Sequence, residues 1–389
     1  MYLLASFRRT WLLALAAVAV PFCPALAGDF SFSTGNTDGL LAAASRPAAG
    51  AAVEVETADD FVLTKTTVIT SATFTGLVLP GTVVNEVAVE LYRVFPGDSR
   101  PPSGHVPTRV NSPADVAFES RESGAGELKF TMDALSGSFT AQNSVLNGIH
   151  ASPAQTTRGD GPVTGVEVRI NVEFTTPIVL APGRYFFKPS ATGFFWLSAP
   201  KPIPAPADLQ AWIRNEPLAP DWLRIGGDIV GGNPAPAFNM TFSLAGQDIT
   251  LDIKPGTCPN SVNPRSRGVL PVALAGDGAF DFGTINLSSI RLSRADGVGG
   301  SLAPLNGPKG PHTVLHDATS PRSGSGCACE KQAHDGIPDL QMFFSTRDVA
   351  STLLAGAAAG QQVELVITAD LKGGGTFRSA TDCVVVVPH

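Results

Sequence analysis

The chain has 389 residues, 43% of them hydrophobic and only 16% charged, against roughly 25% charged in an average globular protein. That apolar fraction can build a core and no long charge run resists collapse, which excludes disorder. A formal charge of −7 excludes a globally basic nucleic-acid binder and argues against attraction to anionic membranes.

The chain opens with Arg8 and Arg9, an apolar run from Trp11 to Val20, and the small-residue site Ala25-Leu26-Ala27. This reads as a secretory signal over residues 1–27, cleaved before Gly28. The apolar run is far short of the ~20 residues of a bilayer span. The expectation is a secreted, periplasmic or cell-surface protein with no membrane span after cleavage. Phe7 precedes the arginine pair, which favours the general secretory route over a twin-arginine one. Cys23 lacks the small neighbours of a lipoprotein signal.

Period-two alternation dominates the chain beyond the signal. Val87, Val89 and Leu91 alternate with Glu86 and Glu90. Val166, Val168, Ile170, Val172 and Phe174 alternate with Glu167, Arg169, Asn171 and Glu173. Phe238, Met240, Phe242 and Leu244 continue the pattern, as do Val363, Leu365 and Ile367, and Cys383 to Val387 reads as a strand buried on both faces. Turn signals such as Pro96-Gly97, Asp160-Gly161 and Asp296-Gly297 separate these runs. Helical signals are few: Asp208 as cap for Leu209 to Ile213, and Asp348 for Val349 to Ala355. The fold class is all-β: two β-sandwich domains of jelly-roll or Ig-like type in tandem, with small helical inserts. The divide falls after Gly246, giving domains over 28–246 and 247–389.

Beyond the signal the cysteines are Cys258, Cys327, Cys329 and Cys383, all in the second domain. An even number in an exported chain points to disulfides. A Cys327–Cys329 bond would join Cα atoms ~6.5 Å apart on an extended segment and be strained. Each of that pair therefore reaches out to Cys258 or Cys383. The competing arrangement is a four-thiolate zinc site.

Two stretches carry a resemblance. FSTGNTDGL (32–40), ADDFVLTKTTVITSATFTGLV (58–78), VELYRVFPGDS (89–99), PTRVNSPADVA (107–117), WLSAPKPI (196–203) and LAPDWLRIGGDIVGG (218–232) resemble an uncharacterised domain of secreted bacterial proteins. Many of those proteins carry the PEP-CTERM sorting tail, and the opening also looks like wider families of exported jelly-roll domains. LDIKPGTCPNSVNPRSRGVLPVALAG (251–276), TVLHDATSP (313–321) and DGIPDL (335–340) resemble a second bacterial extracellular domain. Neither resemblance implies an established activity. The chain ends Val387-Pro388-His389 without a Pro-Glu-Pro motif, apolar span and basic cluster, so covalent sorting is not expected. Relatives of the second domain often carry a carboxylate loop suited to Ca²⁺. Here its positions hold Lys331, Ala333, Asp335, Gly336 and Asp339, and the lysine and alanine spoil the ligand set.

Five groups of residues are candidate sites. Asp335 and Asp339 offer part of a calcium site that Asp277 or Asp317 could complete, or else Asp335-Gly336 is simply a turn. No other cofactor is expected. His312 and His316 are four apart, but Pro311 disfavours the helix that would pair them, and on a strand they lie ~13 Å apart. Glu167 with Glu173, and Asp59 with Asp60, are carboxylate pairs of the kind hydrolases use. Gly226-Gly227 and Gly231-Gly232 lack the context of a phosphate loop. Phe194, Phe195 and Trp196, with Trp212 and Trp222 across the loop Pro200 to Pro206, form an aromatic cluster. It reads either as core or as a platform for stacking sugar rings, with Trp212 on a short helix as its presented member. The expected function is a non-catalytic extracellular or cell-envelope protein binding polysaccharide or matrix material. The alternatives are a passive structural component of envelope or biofilm and a hydrolase with an unrecognised carboxylate site.

Overall fold

A computed structural model describes residues 29–50, 52–101, 105–149, 156–200, 208–308, 310–322, 327, 334–374 and 376–387. The signal segment 1–27, most of the Pro200 to Pro206 loop, Cys329, Lys331 and Ala333 lie outside them. The chain is all-β, built from two pairs of sheets and one small two-stranded ribbon.

The first pair joins a nine-stranded and a six-stranded sheet. The long strands Thr67–Val78, Val163–Leu180 and Leu128–Ala141 lie side by side and antiparallel in the larger sheet. Phe242–Asp248 and Asp29–Ser33 continue it on the other side. The smaller sheet runs in the order Leu223–Arg224, Trp212–Asn215, Val55–Leu63, Gly183–Ala191, Val87–Arg93 and Glu119–Glu122. Alternation decides the faces. Val168, Ile170 and Val172 are buried while Arg169 and Glu173 are exposed, because successive side chains on a strand point to opposite sides. Phe61 and Phe187 of the smaller sheet meet Phe242 of the larger, with Phe187 and Phe242 stacked at 4.9 Å. Phe74 meets Phe194 edge-on at 5.3 Å. Each such pair contributes about 0.5–1.5 kcal/mol beyond its area burial. Gly246 sits at a register shift, where a Cβ would run into the carbonyl of Val68.

The second pair joins a four-stranded sheet, Leu251–Ile253, Val269–Leu274, Asp339–Ser345 and Thr313–His316, to a six-stranded sheet centred on Gln362–Asp370. Its core holds Leu270, Met342, Phe344, Leu365, Ile367, Phe377 and Val384. Val68 belongs to this core although it comes from the first pair. Thr66 and Arg378 exchange two hydrogen bonds of 2.9 Å, and Ile249 N–H donates to the Thr66 carbonyl at 3.4 Å, so hydrogen bonds tie the halves together.

Two local expectations are corrected. Asp208 caps no helix: Gln210 takes φ 66°, and Trp212–Asn215 is a strand paired with Val55–Ala58 on one side and Leu223–Arg224 on the other. The free edge of the smaller sheet offers ladder partners that a helix there would forgo. The short helical stretch Thr346–Leu353 exists, but Ser345 caps it, accepting from Asp348 N–H at 3.3 Å.

Cys327 is disulfide-bonded to Cys383 with Cα atoms 5.0 Å apart, and Cys258 is disulfide-bonded as well. The bonded sulfurs overturn the four-thiolate zinc arrangement. Bridges closing loops of this size typically contribute about 2–4 kcal/mol.

Candidate functional site

The tryptophans do not form a platform. Trp196, Trp212 and Trp222 are 0–1% exposed. Trp196 lies in the main core, donating to Thr241 carbonyl at 2.7 Å. Trp212 and Trp222 pack with Ala58, Tyr92, Phe186 and Leu209 as a second, small core on the opposite face of the six-stranded sheet. Their indole N–H groups donate to the Leu209 and Ala114 carbonyls at 2.9 and 3.0 Å. Leu209, Val94 and Ala117, from segments beside the strands, pack against this cluster and help cover it. Sequence spacing groups all the rings as one cluster, whereas the fold divides Phe194, Phe195 and Trp196 from Trp212 and Trp222 between two cores.

The same face buries charge. Lys188 is almost wholly enclosed, with its ammonium 3.1 Å from Glu90 and 3.4 Å from Glu56. Arg214 pairs with Glu56 and lies 4.3 Å over the Trp222 ring. Tyr92 donates to Glu56 at 3.0 Å. Burial alone would raise the Glu56 carboxyl, but Lys188 and Arg214 outweigh it and hold it below the usual range. Burial likewise opposes the Lys188 charge, and Glu90, Glu56 and Glu54 overcome it. The surrounding glutamates therefore favour the charged form of Lys188. A cavity of about 220 Å³ beside it is rimmed by Glu54, Glu86 and Glu122.

The carboxylate pairs part company. Asp59 and Asp60 point to opposite sides of their strand and serve backbone amides: Asp59 accepts from Met240 N–H at 2.7 Å and Asp60 from Leu209 N–H at 3.0 Å. Asn239, with its amide nitrogen turned toward them, bridges Asp59 at 3.1 Å and Asp208 at 2.9 Å. Burial and the neighbouring Asp60 push Asp59 well above the usual carboxylate range. Burial, reinforced by Asp208, pushes Asp60 up to about 7 against the pull of the Leu209 amide and Arg184. Glu167 and Glu173 share an outer face six positions apart, about 20 Å along a strand, beyond the roughly 5–9 Å at which two carboxyls can flank one glycosidic bond. Glu167 accepts from Thr37 at 3.2 Å at the edge of a polar hollow of about 300 Å³.

The expected calcium pair is also corrected. Asp339 is fully buried and takes amides from Gly276, Ala318 and Thr319 at 2.6–2.8 Å. Its lone pairs are committed to the backbone. Asp335 is exposed and accepts from Ile337 N–H at 2.8 Å, and Gly336 takes φ 88°, so this is the turn. Asp317 accepts from the Asp335 and Gly336 amides, and Asp277 from those of Ala279 and Phe280. His316 sits on a strand, bonded to Gln341 at 2.7 Å, and the His312 ring lies 4.5 Å from Phe343. Among the described residues, the one set of His, Cys, Asp and Glu atoms close enough for a metal is Cys327, Glu364 and Cys383. Its sulfurs are already joined to each other.

The largest hollow of the three, about 680 Å³, lies where the two halves meet. Phe118, Tyr185 and Arg93 line it from the first half, and Phe280, Thr284 and Leu371 from the second. Phe118 and Tyr185 are 5.6 Å apart, and the Arg93 guanidinium lies 4.5 Å over Phe118. These residues are widely scattered along the chain, and no local motif announces them. Comparisons with protein-family models, with curated proteins and with solved structures give no match for the chain. No helix among the described residues is long and apolar enough to cross a membrane.

Proposed function

We propose that the chain is an exported, non-catalytic component of a bacterial envelope or extracellular matrix, acting as a rigid scaffold. The observation that supports this reading is that its buried charges are spent on the fold. Arg109 spans Asp115 and Asp221 at 2.8 and 2.6 Å, Arg322 meets Asp382 at 2.6 Å, Lys188 sits among glutamates, and Asp339 is saturated by amides. Groups so committed hold geometry and have little capacity left for proton transfer. The disulfides fit an oxidising compartment. The test is to express the full chain in a Gram-negative host and fractionate the culture. The expected product begins at Gly28, has no alkylatable thiol and is recovered with envelope or matrix. An unprocessed, thiol-bearing protein in the cytoplasm would overturn the reading.

A second reading, polysaccharide binding, is favoured by a different feature from the tryptophans. The hollow between the halves is lined by the half-buried Phe118 and the buried Tyr185 and Phe280, with Arg93 and Glu119 beside them. Sites of this size and mixed character commonly hold small ligands.

A further inference from the structure

We infer that the chain pairs with a second copy of itself along the strand Leu128–Ala141, an inference independent of both functional readings above. This strand stands at an edge of the nine-stranded sheet: among the described residues it bonds to Val163–Leu180 alone. An edge strand keeps one row of amides and carbonyls unpaired, and these can bond to another strand. Folded proteins usually shorten such edges or block them with a proline or a bulge. Here the register runs unbroken from Leu128 opposite Phe174 to Ala134 opposite Val168, and shifts only beyond Ala134. The result is a regular edge without proline. Every residue from Lys129 to Ala134 except the half-buried Phe130 is exposed.

The ladder determines which backbone groups are free. Thr175 N–H donates to the Glu127 carbonyl at 2.9 Å in the same register. Bonded and non-bonded residues alternate along an antiparallel pair. The odd-numbered residues of the stretch therefore bond inward to Val163–Leu180, and Phe130, Met132 and Ala134 direct their amides and carbonyls outward.

The order of side chains selects the partner. Lys129, Thr131 and Asp133 share the outer face, while Phe130 and Met132 lie on the face of the buried Val172 and Ile170 opposite them. A two-fold axis through Thr131, the middle of the regular stretch, sets Lys129 of each copy against Asp133 of the other. It also sets Phe130 against Met132, so that the two exchange backbone bonds and the Met132 side chain, 43% exposed in the single chain, meets an aromatic ring. Asp133 accepts from Asn171 at 2.9 Å and lies 3.6 Å from Arg169, yet its side chain is 53% exposed. A carboxylate has about four acceptor positions, which leaves room for a lysine. Parallel pairing of two copies in register would instead set like charges side by side. The axis stands perpendicular to the sheet, so the larger sheet of one copy runs on into that of the other, and the contact closes as a dimer.

The test is sedimentation velocity of the whole disulfide-bonded chain from residue 28 onward, over a concentration series. Lys129→Glu sets an acid against Asp133, and Asp133→Lys sets a lysine against Lys129, both at exposed positions. Met132→Pro removes an outward amide and no internal ladder bond. Thermal unfolding checks that each variant folds. The expected result is a dimer in the unaltered protein, weakened at least about tenfold in each variant alone. Mixing the two charge variants one to one recovers it, because the new acid then faces the new lysine and the native Lys129 faces the native Asp133. A monomer at every concentration would overturn the proposal. A dimer that withstands Met132→Pro would overturn the edge as its seat. Charge variants that fail to dissociate, or that dissociate without recovering on mixing, would overturn the two-fold through Thr131.

Discussion

The first sheet pair buries Asp59, Asp60 and Asp208 with the Arg184 guanidinium 3.5 Å from Asp60, whereas the second buries Asp252, Asp339 and Asp382 around Arg322. Arg322 is 7% exposed and reaches Asp382 at 2.6 Å and the Leu251 and Thr381 carbonyls at 3.1 and 2.7 Å. Arg184 is more open to solvent and more distant. In the second cluster a buried counter-ion thus offsets Asp382. In the first, burial pushes Asp59 well above the usual carboxylate range and Asp60 up to about 7, so bound protons take over part of the counter-ion's task. The two halves meet the same cost, that of burying carboxylates, by different means, and they should fail differently.

The largest expected effect is in the second half. Arg322→Met strips the buried Asp382 of its cation and should cost about 3–5 kcal/mol, the range for breaking one side of a buried ion pair. Urea unfolding followed by intrinsic fluorescence and far-UV dichroism reads the loss. A cost below about 1 kcal/mol would mean that Asp382 is held by Asn260 and the backbone amides rather than by Arg322.

Next comes the pH response. Asp60 binds its proton more tightly folded than unfolded, so the folded state carries the extra proton between about pH 4 and about 7. Its stabilising contribution is full below that window and is lost as pH rises through it, on the order of 2–4 kcal/mol. Asp252, pushed up to about 6 by burial against the hydrogen bond from Thr319, follows the same sign over a shorter window. Asp60→Asn mimics the protonated carboxyl. It should match the parent at pH 5 and exceed it at pH 8, with Asp252→Asn giving a smaller gain. Denaturation midpoints from pH 5 to 8 check this, a range in which Glu56, held below the usual carboxylate range, stays ionised. Midpoints that rise with pH in the parent would mean that these carboxyls are ionised in the fold.

The same contrast separates what is legible in the sequence from what is not. Alternation over Val166 to Phe174 locates a strand and its buried face because that information is local. Trp212 reads as a presented helix residue, yet its four-residue strand exists only because the edge at Val55–Ala58 offers partners. Asp339 has the spacing of a cation ligand. Its real partners are amides at 276, 318 and 319, which nothing in the spacing of acidic residues foretells. Asp59 and Asp60 are visible as adjacent carboxyls, but their role depends on Leu209 and Met240, far along the chain. Faces are legible from period two, whereas partners across the fold are not.

The smallest expected effect completes the contrast. If protons neutralise the first cluster, its nearby cation should matter little. Arg184 lies 3.5 Å from Asp60 with a side chain 25% exposed, a geometry in which solvent screens much of the attraction. Arg184→Met should therefore cost no more than about 1 kcal/mol at pH 5, where Asp60 is protonated. The cost should grow at pH 8, because the ionised carboxylate then loses its closest cation. A double-mutant cycle with Asp60→Asn isolates that growth. A coupling that is absent at pH 5 and present at pH 8 places the proton on the first cluster. A coupling as large at pH 5 as that between Arg322 and Asp382 would show both halves using the same device.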